Sequence, residues 1–279
     1  MIAPSEILYR PRGAFPSNRG GAHSSSEVGG FGVFRDHTPF LRHPDARRID
    51  VRASLRDPFE GAFVRRFELR SGIEVVALVD FSASMACEAE PRKFDVARDL
   101  CATIGYSSTR IGDRFSVVAA GRKILLNLPP TRSRSASLTV ARSLAVIEPH
   151  ETGCEGLLRA AERLSPRRKL VFVISDFHWP SKMIRKLFDR LSMHDLAPIV
   201  LVEPAPTTTT KWGLVQLADS EGGGKRIIFM RPALARRWAE QEAERRQEIV
   251  RLATARGRRP LFLEGGVDPV ALSAWLLAA

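Results

Sequence analysis

Apolar and polar positions are patterned in two different ways along the chain, and the change falls at Ser71-Gly72. From Ile73 onward, short β-branched apolar runs alternate with stretches of helical spacing. Val75-Val76-Ala77-Leu78-Val79 stops at Asp80, and Lys169 to Ser175 stops at Asp176. Runs of this kind read as buried parallel strands. Ala197 to Val202 and Leu261 to Leu263 are further strands of the same type. Within Lys93 to Arg110, the residues Phe94, Ala97, Leu100, Cys101 and Ile104 line one helical face. Ser135 to Ile147, Glu155 to Leu164, Ser181 to His194, Pro232 to Arg256 and Pro269 to Leu277 read as helices too. Arg114 to Ala120 and Lys123 to Leu128 flank Gly121-Arg122, too short a link for anything but an antiparallel hairpin. Trp212 to Ala218 and Arg226 to Met230 form a second hairpin around Glu221-Gly222-Gly223-Gly224. Repeated strand, crossover helix and strand units predict an α/β domain over 73–279, a doubly wound, mostly parallel sheet.

Residues 1–72 read as a β-rich N-terminal extension. Gly20-Gly21, Ser24-Ser25-Ser26 and Gly29-Gly30-Phe31-Gly32 have the composition of loops, whereas Ile49 to Leu55 and Ala62 to Leu69 alternate as strands do. Phe31, Phe34, Phe40, Phe59, Phe63 and Phe67 call for buried positions.

Composition adds boundaries to this picture. A chain of 279 residues, 44% hydrophobic, can bury a full core. Its apolar runs, such as Leu170 to Ile174, are far below the ~20 residues of a bilayer span. Met1 to Phe15 contains no apolar signal segment, so a cytoplasmic protein is expected. Three cysteines, Cys87, Cys101 and Cys154, are odd in number and lack zinc spacing, which predicts free thiols. The net charge of +12 is spread widely, with twelve arginines against eight acids in residues 1–72. Without a nucleic-acid reader motif, such a surface suits an acidic protein partner better than DNA or RNA.

The candidate chemistry lies where the first strand ends. Asp80, Ser82 and Ser84 are oxygen donors close enough to converge on one hard cation, Mg²⁺ or Mn²⁺. If the two acid-ended strands are neighbours, Asp176 joins them at a sheet edge of the kind that carries sites. Residue types alone leave a second reading equally open, in which the acids and serines cap the helices that follow.

Asp80-x-Ser82-x-Ser84, followed by Ile174-Ser175-Asp176, resembles the metal-ion-dependent adhesion site (MIDAS) of von Willebrand factor A domains. Phe34-Arg35-Asp36, Pro44-Asp45-Ala46-Arg47-Arg48-Ile49-Asp50 and Val64-Arg65-Arg66-Phe67-Glu68, ahead of Leu78 to Met85, resemble bacterial A-domain proteins that accompany MoxR-type AAA+ ATPases. Within these, the likeness is to the group of methanol dehydrogenase gene clusters. The resemblance implies that Ser82 and Ser84 ligate the cation directly while Asp80 and Asp176 hold its waters. It also implies a threonine from the loop before Glu155. Thr152 is one candidate, but aligning the helix leucines puts Cys154 at that position, and a thiol is a poor ligand for a hard cation. One coordination position would stay open for an acidic side chain of a partner, the ATPase or a client protein. The implied role is a non-enzymatic adaptor in the assembly, activation or metal loading of an enzyme, with methanol dehydrogenase favoured.

Enzymatic readings find less support. Ser175, Asp176 and His178 lie on an extended segment without a Gly-x-Ser-x-Gly elbow, so His178 reads as a loop residue. Gly222-Gly223-Gly224-Lys225 lacks the spacing of a phosphate loop. A metal-assisted hydrolase would have to draw its base from His150 or Glu151. Trp238 and Trp275 read as core, and the Glu240 to Arg246 run as a solvated helix face. Asp50, Arg52 and Arg56 are expected to tie the extension to the α/β domain through ion pairs.

Overall fold

The structure, a computed structural model, describes residues 5–13, 15, 20–29, 33–59, 61–86, 91–148, 152–203, 213–218 and 225–278. The chain forms two compact units. One comprises residues 13–73 with 111–113, and the other residues 1–12, 74–110 and 114–279. This division departs from a single boundary after residue 72. Within the α/β unit, the Ile7 N–H donates to Ser107 Oγ at 2.9 Å and the Arg12 N–H to Asp195 Oδ2 at 2.7 Å. Residues 5–12 therefore belong with the α/β unit.

The smaller unit is an antiparallel sheet of β1 (Gly20–Gly29), β2 (Val33–Pro39) and, after helix α1 (Val51–Leu55), β3 (Phe63–Ser71), in the order β1-β3-β2. Two local expectations are corrected here. Gly20 to Ser26 is strand rather than loop: pairing with β3, through an irregular register, overrides a composition poor in strand formers. Residues 49–55 are not a strand. Ile49 makes only an isolated bridge to Val64, and Asp50 then caps α1, accepting from the Arg52 and Ala53 N–H groups at 3.0 and 3.1 Å. A side-chain cap that satisfies two backbone donors outweighs the apolar alternation of Ile49, Val51, Ala53 and Leu55. The phenylalanines are less buried than expected: Phe34 and Phe59 are exposed, and Phe40, Phe63 and Phe67 are half-buried. Phe31 lies outside the described residues.

The larger unit runs β4 (Glu74–Asp80), α2 (Lys93–Arg110), β5 (Arg114–Ala120), β6 (Ile124–Thr131), α3 (Ala136–Ala145), α4 (Glu155–Glu162), β7 (Leu170–Ser175), α5 (Ser181–Arg190) and β8 (Asp195–Val202). The antiparallel hairpin β9 (Gly213–Ala218) and β10 (Lys225–Met230), helix α6 (Pro232–Thr254), β11 (Leu261–Glu264) and α7 (Pro269–Leu277) follow. Six strands make one sheet in the order β11-β8-β7-β4-β5-β6, all parallel except β6. Strand order reverses between β4 and β7, so the switch point of the sheet lies where Asp80 and Asp176 emerge. Val76, Leu78, Val171 and Val173 face Leu157, Ile184, Phe188 and Ile249 of α4, α5 and α6. The alternate residues Val75, Ala77 and Phe172 are equally buried, and α2 and α3 cover that side. This is a doubly wound α/β fold, and both faces of β4 and β7 are dry.

One glycine is required by a close approach. A Cβ on Gly156 would lie 2.6 Å from the Gly121 carbonyl oxygen and the Lys123 backbone, so the start of α4 presses directly on the β5–β6 turn. Cys101 and Cys154 are buried free thiols. Cys87, His150, Glu151 and the Glu221 to Gly224 turn lie outside the described residues. Among the described residues, no helix is long and apolar enough to cross a membrane.

Candidate functional site

The site is built from the ends of two neighbouring strands. In the β4–β7 register Val79 lies opposite Ile174, which carries Asp80 and Asp176 to one edge. After Asp80 the chain turns sharply. The Ser82 N–H donates to Asp80 Oδ1 at 2.8 Å, and a single 3₁₀ turn, Ala83–Ala86, brings Ser84 back over the edge. Ser82 Oγ and Ser84 Oγ are 3.1 Å apart, and Ser84 Oγ donates to Asp176 Oδ1 at 3.2 Å. Behind them, Ser175 Oγ donates to Asp80 Oδ2 at 2.6 Å and accepts from the Phe177 N–H at 2.8 Å. Asp80 and Asp176 are fully buried, while Ser84 reaches partly into solvent.

The structure thus brings Asp80, Ser82, Ser84 and Asp176 together. Thr152, the fifth candidate, is exposed and makes no hydrogen bond to these four. Cys154, at the entrance to α4, is buried and close enough to Asp80 to sense its charge. Burial, then Asp80 and Glu155, push its thiol up to about 12. The group nearest the expected threonine position is therefore a neutral thiol.

Sequence reasoning missed three groups that complete the edge. Lys93, the first residue of α2, is buried, and its ammonium donates to Asp176 Oδ2 at 2.7 Å and to Glu203 Oε1 at 2.9 Å. Burial would lower the lysine's proton affinity, but the charge of Asp176 and its hydrogen bond, with help from Glu203, raise it above the ordinary value. His178 is a loop residue, yet its Nδ1 lies 3.0 Å from Asp176 Oδ2 and its N–H donates to Oδ1 at 3.2 Å. Arg245, expected on a solvated face, turns inward from α6. Its Nη1 donates to the Asp176 and Phe177 carbonyls at 2.7 and 3.4 Å, while Glu242 holds its other nitrogens. This grip matters because Phe177 is in the left-handed region at φ 52°, an unfavourable conformation for a bulky side chain. Phe177 stays there with its ring buried against Trp179 and Phe188.

The two carboxylates divide in charge. Burial opposes ionisation of Asp176, but the His178 hydrogen bond and then Lys93 outweigh it and hold the carboxyl below the usual range. Asp80 has only hydroxyl and amide donors. Burial, and next the charge of Asp176, push it up to about 7.

Tested against a hard divalent cation, the oxygens of Asp80, Ser82, Ser84 and Asp176 have the right chemistry, and Asp80 lacks the counter-charge an ion would bring. The Cys154 thiol does not suit such an ion, and Lys93 already supplies one positive charge to Asp176. Asp80, Ser82, Ser84 and Asp176 are the residues that would hold a Mg²⁺ or Mn²⁺ ion here. Among the described residues, no three His, Cys, Asp or Glu side chains form a metal-binding group.

The smaller unit holds its own ion-pair cluster. Asp50 accepts from Arg65 Nε at 2.6 Å and pairs with His37 at 2.9 Å, and Arg66 forks onto Asp36. The Arg65 and His37 hydrogen bonds hold the Asp50 carboxyl well below the usual carboxylate range. These partners of Asp50 all lie in its own unit, and Arg52 and Arg56 are exposed. Trp275 is half-buried, with its Nε1–H on the Arg259 carbonyl at 2.9 Å, and Trp238 is half-buried too.

The fold is a doubly wound sheet with an acid–serine edge at its switch point. The chain belongs to the family described as "Protein of unknown function DUF58", which matches residues 41–248. It is 28% identical over 222 residues to the uncharacterized protein Rv1480 of Mycobacterium tuberculosis and to Mb1516 of Mycobacterium bovis, covering 76% of this chain and 68% of each relative. Similar solved structures include the conserved hypothetical protein BatB from Bacteroides thetaiotaomicron, with 15% identity, a TM-score of 0.44, and coverage of 74% of this chain and 97% of that one. The VWA domain of SpRpn10 is another, with 13% identity, a TM-score of 0.39, and coverage of 74% and 94%.

Proposed function

We propose that this chain is a non-enzymatic adaptor that presents the Ser82–Ser84 edge to an acidic side chain of a partner protein. The observation that carries the reading is the convergence of two hydroxyls and two carboxylates at the switch point, with Ser84 partly open to solvent. The state of the nucleophiles supports a binding role. Burial, then Asp80 and Glu155, push the Cys154 thiol up to about 12, which disfavours the nucleophilic thiolate, and the buried Ser175 Oγ is engaged with Asp80 Oδ2 behind the edge. Ser82 and Ser84 would hold a Mg²⁺ or Mn²⁺ ion, backed by Asp80 and Asp176, and the ion would supply an electrophilic position for the partner's carboxylate.

The resemblance to A-domain proteins that accompany MoxR-type AAA+ ATPases suggests such an ATPase, or its client, as the partner. Its likeness to MxaS of methanol dehydrogenase gene clusters favours that dehydrogenase as the enzyme being assembled, activated or loaded with metal. The test is capture of a purified MoxR-type ATPase on the immobilised chain. Capture in Mg²⁺ that is lost in EDTA and with Ser84→Ala is the expected result. Equal capture in all three conditions would remove the edge from the interaction.

A further inference from the structure

The β-rich unit turns apolar side chains outward along one short segment. Leu41 is 93% exposed, Phe59 89%, Leu55 81% and Val51 62%. Isolated exposed leucines are ordinary, but four large apolar side chains turned outward within residues 41–59 call for an explanation. The segment is also held in place. Val51 and Leu55 stand one turn apart on α1, so they share a face. The Phe63 N–H donates to Ser54 Oγ at 2.9 Å, the Gly61 N–H to Asp57 Oδ2 at 2.8 Å, and the Phe40 N–H to the Ala62 carbonyl at 2.7 Å.

The same segment is net basic, with five arginines against three aspartates in residues 41–59. Arg42, Arg47, Arg52 and Arg56 are exposed, whereas its acids are engaged locally. Asp45 pairs with Arg48 at 2.9 Å and accepts the Arg47 N–H, Asp50 caps α1 and holds His37 and Arg65, and Asp57 accepts the Gly61 N–H. Residues 41–59 contain no lysine, tryptophan or tyrosine. Helix α1 has only five residues, too short to lay the extended apolar face of an interfacial helix into a bilayer. Arginine with exposed phenylalanine and leucine instead matches protein interfaces, where the guanidinium fork grips carboxylates.

We propose that residues 41–59 form a docking face for an acidic amphipathic segment of a partner protein. Its apolar side chains would seat on Leu41, Val51, Leu55 and Phe59, and its carboxylates on Arg42, Arg47, Arg52 and Arg56. The face uses none of the residues of the Asp80 edge, so its test is independent of the adaptor reading.

The experiment titrates the full chain with a fluorescent amphipathic helical peptide of leucine and glutamate, alongside its glutamate-to-lysine counterpart. Anionic phosphatidylserine vesicles and sedimentation of the chain alone complete the set. The acidic peptide should bind and the lysine peptide should not. Affinity should fall by at least about tenfold in Leu55→Ser/Phe59→Ser and in Arg52→Ser/Arg56→Ser. The substituted side chains are exposed, and unchanged circular dichroism and melting will confirm that both variants fold. Three results would overturn the proposal. These are no peptide binding or binding equal in parent and variants, vesicle binding abolished by the same substitutions, or self-association abolished by them.

Discussion

Replacing Lys93 with methionine tests the electrostatic account of the edge most directly. Methionine keeps the length and apolar stem of lysine but removes the ammonium that bonds Asp176 at 2.7 Å. Asp176 is fully buried, so the variant leaves its charge with only the Ser84 hydroxyl and the His178 contacts. Breaking a buried ion pair by removing one partner costs roughly 3–5 kcal/mol. For a domain of this size that is a fall in melting temperature of roughly 6–20 °C, at about 2–4 °C per kcal/mol. A divalent cation should then do for the variant what Lys93 does for the parent. A unit charge at 4 Å is worth about 1 kcal/mol in water and about 4 kcal/mol at an effective dielectric constant of 20, so losing a repelling ammonium should tighten Mg²⁺ binding at least about tenfold. Differential scanning calorimetry in EDTA and in Mg²⁺ reads both effects. Lys93→Met should melt well below the parent in EDTA and recover more in Mg²⁺ than the parent gains. A variant that melts within about 2 °C of the parent in EDTA, or that responds to Mg²⁺ no more than the parent, refutes the assignment.

Gly156→Ala should destabilise the α/β unit by about 1–3 kcal/mol or more, because the new methyl meets backbone that cannot rotate away; urea titration measures it, and a loss below about 0.5 kcal/mol would deny the close approach. Arg245→Met should free the 176–178 loop, and hydrogen exchange there should accelerate while α2 and α3 keep their protection. Unchanged exchange would show that Phe177 is held by packing alone. His194 gives a pH prediction. Burial, then Lys169 and Arg168, push its imidazole down to about 4, so between pH 6.5 and 4 the unfolded chain takes up a proton that the folded chain refuses. Stability carried by the neutral ring is present above pH 6.5 and declines as pH falls through this window. His194→Gln should flatten that slope, and an unaltered slope would assign the acid sensitivity to other groups.

The edge was partly legible in the sequence because two local signals coincide there. Val75 to Val79 and Leu170 to Ile174 are apolar at every position, as only strands covered on both faces are, and both runs end in an acid. Their adjacency follows from the switch point of an open sheet, which is a property of topology. Lys93 was not legible by helical periodicity, which files it as a polar residue at a helix start. A signal did exist: a lysine in the first turn opposes the helix dipole, so it needs a compensating partner elsewhere. Arg245 was marked in the same way, as a charge within the stripe of Leu234, Trp238, Ile249 and Leu252. Helix α1 and strand β1 escaped for a different reason. One is decided by what the Asp50 side chain does for two backbone donors, the other by what β3 offers across the sheet, and neither interaction is visible in hydrophobic alternation.

The sign of the edge decides what can land on it. Asp176 is held ionised and balanced by Lys93, and Glu203 adds an exposed carboxylate beside the same ammonium, while burial and the charge of Asp176 raise the Asp80 carboxyl above its ordinary range. Without a divalent ion the edge therefore carries excess negative charge and repels a carboxylate. A divalent ion held by Ser82 and Ser84 would cancel the excess and make an acidic side chain an acceptable ligand. On the adaptor reading proposed above, an acidic partner would therefore require the cation-loaded form. Capture that survives EDTA yet is lost with Ser84→Ala would mean that the landing group is a lysine or arginine, attracted by the same two carboxylates. The pairing of EDTA with Ser84→Ala consequently reports the charge of the partner's side chain as well as the need for a metal.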